Sequence, residues 1–173
     1  MKQVLHYEIQ NSTYQANTAA QRLFDQAYNR GWLNKIGLAL LGRSRRLLSL
    51  RVVEVGLTIT GRHYLGLQTI PIDQIRGSEG RSNDFDRDFY PLQAHDAPRW
   101  KGLAIARQLG RALPPVELIQ VDDIYFVRDG HHRISVAKML GQKDIDAEVT
   151  VWQVAPGSAT SKSANIELIC QPI

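Results

Sequence analysis

The chain has 173 residues, 43% hydrophobic and 22% charged, which suits one folded domain with a real core and excludes an intrinsically disordered chain. Its single cysteine, Cys170, excludes an intramolecular disulfide, and its most apolar stretch, WLNKIGLALLG, contains Lys35 and falls far short of the roughly 20 residues that cross a bilayer. The net charge of +4 is unevenly placed: residues 1–50 carry seven Lys or Arg against two acids, and the remainder carries 14 basic and 15 acidic side chains.

In chain order, MKQVLHYEIQ lacks the apolar core of a signal peptide, so a cytoplasmic protein without membrane association is expected. Residues 13–30 predict a helix, with Thr13 or Thr18 as caps and Leu23, Phe24 and Ala27 on one face. Gly31 reads as its break, and a second helix is expected over 32–41, ending near Gly42. This basic helical arm, residues 1–50, should rest on the core through Leu23, Phe24, Trp32 and Ile36. Its cations Arg43, Arg45 and Arg46 either complement a helix C-terminus or meet nucleic-acid phosphates.

The stretch RRLLSLRVVEVGL mixes helical spacing with β-branched residues and is ambiguous. Tyr64, Leu67 and Ile70 predict a strand, and IPIDQI gives alternating apolar positions before a turn. RGSEGRSNDFDRDFYPL has loop composition. RWKGLAIARQLGRAL predicts a helix, VELIQV and IYFVRD a hairpin around Asp122-Asp123, His131–Leu140 a helix stopped by Gly141, and IDAEVTVW a last strand. APGSATSKSAN reads as linker and IELICQPI as a short tail. The fold class is mixed α/β (α+β): a helical arm (1–50), a core (51–154) and a linker with tail (155–173).

The chemistry concentrates in YFVRDGHHRISVAKMLG, where a strand passes through Asp129-Gly130 into a helix. With His132 at zero and about 100° per residue, Val136, Ala137 and Leu140 define an apolar face. Arg133 shares that azimuth, His132 sits at its rim, and His131 points to the other side beside Lys138. A guanidinium on a core-facing azimuth needs a partner or an exit, and the first turn of a helix offers one, beside free backbone N–H groups that already favour an anion. Gly130 permits close backbone approach, Arg133 supplies a planar fork for phosphate oxygens, and His132 can donate a hydrogen bond or move a proton. The competing reading is a plain helix start, with Asp129 as cap and solvated histidines. Adjacent helical residues diverge too far for His131 and His132 to hold one metal ion together.

In the acidic loop, Asp84, Asp86 and Asp88 alternate like the start of a calcium-binding loop, but Phe89 and His95 occupy the positions that need Gly and Glu. Phe85 and Phe89, four apart, read as its anchors. Alternatively Asp84 or Asp86 holds Mg²⁺ or acts as a base in phosphoryl transfer, with Arg81 as a second phosphate contact.

YFVRDGHHRISVAKMLG followed by IDAEV resembles the core motif of the ParB/sulfiredoxin superfamily, a strand ending in Gly-x-x-Arg, then a helix and a returning strand. IPIDQI…GRSNDFD resembles the strand and loop that open ParB N-terminal domains. The resemblance covers about residues 65–152 and implies binding of nucleotide phosphates, from CTP or ATP, at Gly130, His132 and Arg133, with His131 in the same turn a further candidate contact. It implies a Mg-dependent NTPase or phosphotransferase, with His132, Asp84 and Asp86 as catalytic candidates. The alternative is a non-catalytic, nucleotide-gated module acting on DNA or a protein through the arm, with room for a homodimer. His131 stands where sulfiredoxins have cysteine, which excludes thiol chemistry at this position. A nuclease reading lacks a metal-ligand constellation, and the helix-turn-helix domain that follows this core in segregation ParB proteins has no counterpart in the residues after 154.

Overall fold

A computed structural model describes residues 2–39 and 46–155, with side chains from residue 11 to 37 and from 46 to 155. The expected mixed α+β class is what it shows. The elements are α1 (Lys2–Ala39), β1 (Leu48–Ser49), α2 (Leu50–Val55), β2 (Ile59–Pro71), β3 (Ile75–Ser78), α3 (Ala97–Gln108), β4 (Val116–Val121), β5 (Ile124–Asp129), α4 (His131–Met139) and β6 (Asp144–Val154). One mixed sheet runs β1-β3-β5-β4-β6-β2. β4 and β5 form the antiparallel hairpin read from the sequence, turning at Asp122, which takes a positive φ of 53°. β6 returns parallel to β4, and β2 pairs antiparallel with β6 at the edge.

Alternation along the central strands sorts their side chains onto two faces. Val116, Leu118, Val127, Ala147 and Val149 join Ile134 and Ala137 of α4 and the loop residues Phe85 and Phe89 on one face. Ile119, Val121, Phe126 and Trp152 meet Leu50 and Val53 of α2 on the other. The ambiguous stretch around residue 50 therefore resolves into a short strand and one turn and a half of helix. Its Leu48 and Ser49 pair in parallel with Gly77 and Ser78. Both anchors of the acidic loop, Phe85 and Phe89, are fully buried, as their spacing suggested.

The N-terminal helix departs from expectation. Gly31 does not break it: α1 continues to Ala39. A Cβ there would stand 2.9 Å from the Pro91 carbonyl oxygen and 3.1 Å from Tyr90 Cβ, so the glycine serves close approach of helix and loop. Thr13 and Thr18 lie inside the helix rather than at its start, and Thr18 Oγ1 donates back to the Tyr14 carbonyl. Ala20, Phe24 and Ala27 pack against Trp100 and Ala104 of α3 and Val136 of α4. Trp32 and Ile36, expected in that contact, are exposed (53% and 40%) because α3 flanks only the middle of α1. Arg43 and Arg45 lie outside the described residues. Arg46 is exposed, with its backbone bridged to Asp86. No helix among the described residues is long and apolar enough to cross a membrane.

Candidate functional site

The strand–turn–helix forms as the sequence indicates. β5 ends at Asp129, Gly130 takes a left-handed conformation (φ 100°, ψ 17°), and α4 begins at His131. A Cβ on Gly130 would lie 2.5 Å from Val116 Cγ1, so both conformation and space demand glycine. The first α4 hydrogen bond runs from the Ile134 amide to the Gly130 carbonyl, so the amides of His131, His132 and Arg133 precede the intrahelical ladder.

Around this turn lies an open cavity of about 210 Å³ lined by Arg81, Arg99, Leu103, Pro114, Asp129, Gly130, His131, His132 and Arg133. Arg81 comes from the acidic loop, Arg99 and Leu103 from α3, and the rest from the turn, the start of α4 and the segment before β4. Arg133 is steered there by three hydrogen bonds: its guanidinium donates to the Pro114 carbonyl at 2.8 Å, to the Pro115 carbonyl, and to the Asp129 carboxylate. That anchorage sets the direction of the fork and leaves N–H donors over for a ligand.

The helical-wheel reading fails for His131. It was expected to face solvent beside Lys138, but it is buried to 5% exposure, as His132 is to 4%. A wheel with one core face assumes one packed side, whereas α4 has three. The sheet takes Ile134 and Ala137, α1 and α3 take Val136, and Phe85 covers the remaining side. Phe85 stacks on the His131 ring (centroids 5.8 Å, 20°) and meets His132 edge-on at 5.3 Å. Trp100 Nε1 donates to Ser135 Oγ at 2.8 Å from the α3 side. Lys138 turns away to Asp88, 3.6 Å distant.

Ser78 ties the two cation-bearing segments together. Its Oγ accepts the amides of Arg81 (2.8 Å) and Gly80 (3.3 Å) and lies 2.7 Å from His131 Nε2. With both amides donating to it, the hydroxyl is left to donate a hydrogen bond to Nε2, which assigns the His131 ring proton to Nδ1. Burial pushes the His131 pKa down to about 4, with Arg81 and His132 adding to the effect. Burial also lowers that of His132, against the opposing pull of Asp96. Both rings are neutral hydrogen-bonding groups at pH 7.

Asp96 and Arg99 belong to the site although the sequence reading passed over them. Asp96 Oδ1 lies 3.0 Å from His132 Nε2 and 3.8 Å from Arg81 NH1. The His132 contact is outside directed hydrogen-bond geometry, and Asp96 Oδ2 is buried with no protein partner among the described residues. An aspartate ahead of Ala-Pro reads as an ordinary helix cap. It does stand at the cap position of α3, but its side chain makes no cap bond and turns to His132 instead.

The two aspartates named from the sequence are placed differently. Asp84 is half-buried and stands 3.6 Å from Arg81, which lines the cavity. Asp86 does not line the cavity. It is buried at 3% exposure, and its carboxylate accepts the amides of Asp88 (3.0 Å) and Tyr90 (2.9 Å) and the side-chain amide of Asn34 (3.0 Å). Burial raises its pKa against these bonds. Asp86 thus holds the loop to itself and to α1, away from the cavity beside which it was expected as a base or Mg²⁺ ligand. Among the described residues no group of three His, Cys, Asp or Glu is arranged to hold a metal ion.

No family model matches the chain, and no curated protein matches it. Among solved structures it is similar to the sulfiredoxin from Arabidopsis thaliana, at 25% identity over 48% of this chain and 82% of that one, with a TM-score of 0.34.

Proposed function

We propose that the cavity at the Gly130 turn binds the phosphates of a nucleoside triphosphate, CTP or ATP. The single observation that carries this is convergence. Arg81, Arg99 and Arg133, from three separate segments, line one cavity with the first turn of α4. Arginine forks and orphan amides at a helix start are the donor set that phosphate oxygens favour. His131 and His132, neutral and buried in its wall, add hydrogen-bonding capacity without the repulsion that two more buried charges would bring. The Asp96–His132 pair is the candidate for moving a proton if the bound nucleotide is turned over, with Asp96 orienting the ring. Asp129 in the cavity wall and Asp84 beside Arg81 are the other acids near it.

The test is isothermal titration of the full chain with CTP and ATP, alongside Arg133→Ala. Saturable binding is expected for the native chain. The variant should bind about 10- to 150-fold more weakly, on the order of 1.5–3 kcal/mol for loss of a charge-assisted fork. Absence of binding by the native chain, or equal affinity in a folded Arg133→Ala variant, would overturn the reading. Phosphate release measured on the same samples separates an NTPase from a nucleotide-gated binding module.

A further inference from the structure

The last turns of α1 carry an apolar patch that no described element covers. Trp32 is 53% exposed, Leu33 62% and Ile36 40%. At about 100° per residue, these three fall away from the side on which Ala20, Phe24 and Ala27 meet α3 and α4. This end of the helix is nonetheless held in place. Gly31 packs against the Pro91 carbonyl, and the Asn34 side chain donates to Asp86. The patch is therefore presented outward on a fixed support, and contiguous exposed apolar groups of this kind mark a contact surface.

Charge decides between the surfaces that could cover it. Residues 26–50 hold five Lys or Arg (Arg30, Lys35, Arg43, Arg45 and Arg46) and no Asp or Glu. Arg30, Lys35 and Arg46 are exposed. A second copy of the same arm would bring like charges together, whereas an anionic surface is attracted. Nucleic acid offers phosphates to the cations but nothing to Leu33 and Ile36. An anionic bilayer surface suits both groups. Trp settles at the headgroup level, Leu and Ile below it, and Lys and Arg reach the lipid phosphates. We propose that this end of α1 docks the protein on the surface of a membrane containing anionic phospholipid, without spanning it. The expectation of no membrane association rested on the lack of a signal peptide and of a spanning segment, and neither bears on surface docking. The proposal is independent of the phosphate reading of the Gly130 cavity.

The full chain is titrated with vesicles of equimolar phosphatidylglycerol and phosphatidylcholine, with vesicles of phosphatidylcholine alone, and with duplex DNA. Trp32 is the reporter, since the other two tryptophans, Trp100 and Trp152, are buried in the core. Several cations near the surface should make binding to the anionic vesicles at least about tenfold tighter than to the neutral ones. Brominated acyl chains in those vesicles should quench Trp32. Leu33→Gln/Ile36→Gln replaces two exposed side chains with a good helix former and should bind anionic vesicles about tenfold more weakly, with circular dichroism to check its folding. No binding of anionic vesicles, equal binding of neutral ones, or bound protein whose Trp32 escapes quenching overturns the proposal. So does undiminished binding by the folded variant. Binding of duplex DNA in place of vesicles overturns it in favour of a nucleic-acid partner. A dimer that the variant dissolves, with no vesicle binding, overturns it in favour of a second copy. Quenching of Trp32 in the native chain decides the matter even if the variant does not fold.

Discussion

The acidic loop and the Gly130 turn look alike in sequence. Each is a short run of like-charged or titratable side chains beside a glycine or aromatic residue, and each invites a chemical role. In the folded chain they have opposite fates. The Asp86 carboxylate meets three donors, two from its own loop and one from α1, and is consumed by them. Arg133 also meets three acceptors, but they set its guanidinium on the wall of a cavity with donors to spare. What separates a polar side chain consumed by the fold from one left available to the proposed site is therefore not burial, since Asp86 and the two histidines are similarly buried. It is whether neighbouring groups exhaust the side chain's hydrogen-bonding capacity. The loop still contributes to the site, through Arg81 and through Phe85, which covers both histidines.

The comparison breaks first at Gly130. Gly130→Val combines a left-handed backbone with a Cβ 2.5 Å from buried Val116 and 3.1 Å from Arg133 Nε. A loss of about 4 kcal/mol in stability is expected from strain and overpacking together, measured by chemical denaturation. A near-native midpoint would mean that the turn relaxes freely and does not fix the site.

The histidines give the next effect, through pH. Native His131 has a pKa lowered to about 4 from the ordinary 6.5. The unfolded chain accepts a proton below about pH 6.5 that the native state refuses, so stability should fall as pH drops from about 6.5 to 4 and level off below that. The total from His131 is about 3 kcal/mol. His132, also lowered, acts in the same sense. Asp86, raised above 3.8, acts in the opposite sense at the acid end of the window, since its protonated form is favoured in the native state. Thermal melts of the native chain and His131→Asn across this range isolate the contribution of His131. The native chain should lose stability more steeply, and parallel curves would show that His131 titrates normally.

Asp86→Ala sharpens the contrast from the other side. It strands two backbone amides and the Asn34 side chain, and should cost about 2–3 kcal/mol of stability. Nucleotide affinity, measured well below the melting temperature, should stay within threefold. A large loss of affinity with little loss of stability would return Asp86 to the site. The smallest effect is expected at Asp84, whose longer, half-buried ion pair with Arg81 should be worth less than about 1 kcal/mol when tested by Asp84→Asn.

The local pieces were legible in the chain's own patterning. Alternation in VELIQV and IYFVRD, with two aspartates between, settled the hairpin, and Asp-Gly ahead of a helical run settled the strand–turn–helix, because strand faces and turn conformations depend on neighbours in the chain. Phe85 and Phe89 were legible as anchors for the same reason. The tertiary structure alone decided which charges share a cavity. Arg81, Arg99 and Arg133 are far apart in sequence, Ser78 reaches His131 across 53 residues, and the Asp96 side chain faces His132 instead of capping α3. It also decided that α4 has no solvent side for His131, that α1 runs through Gly31, and that Trp32 stays exposed. A helical pattern specifies which side chains share an azimuth. How many of those azimuths are covered depends on elements that arrive from elsewhere in the chain, and burial is set by them.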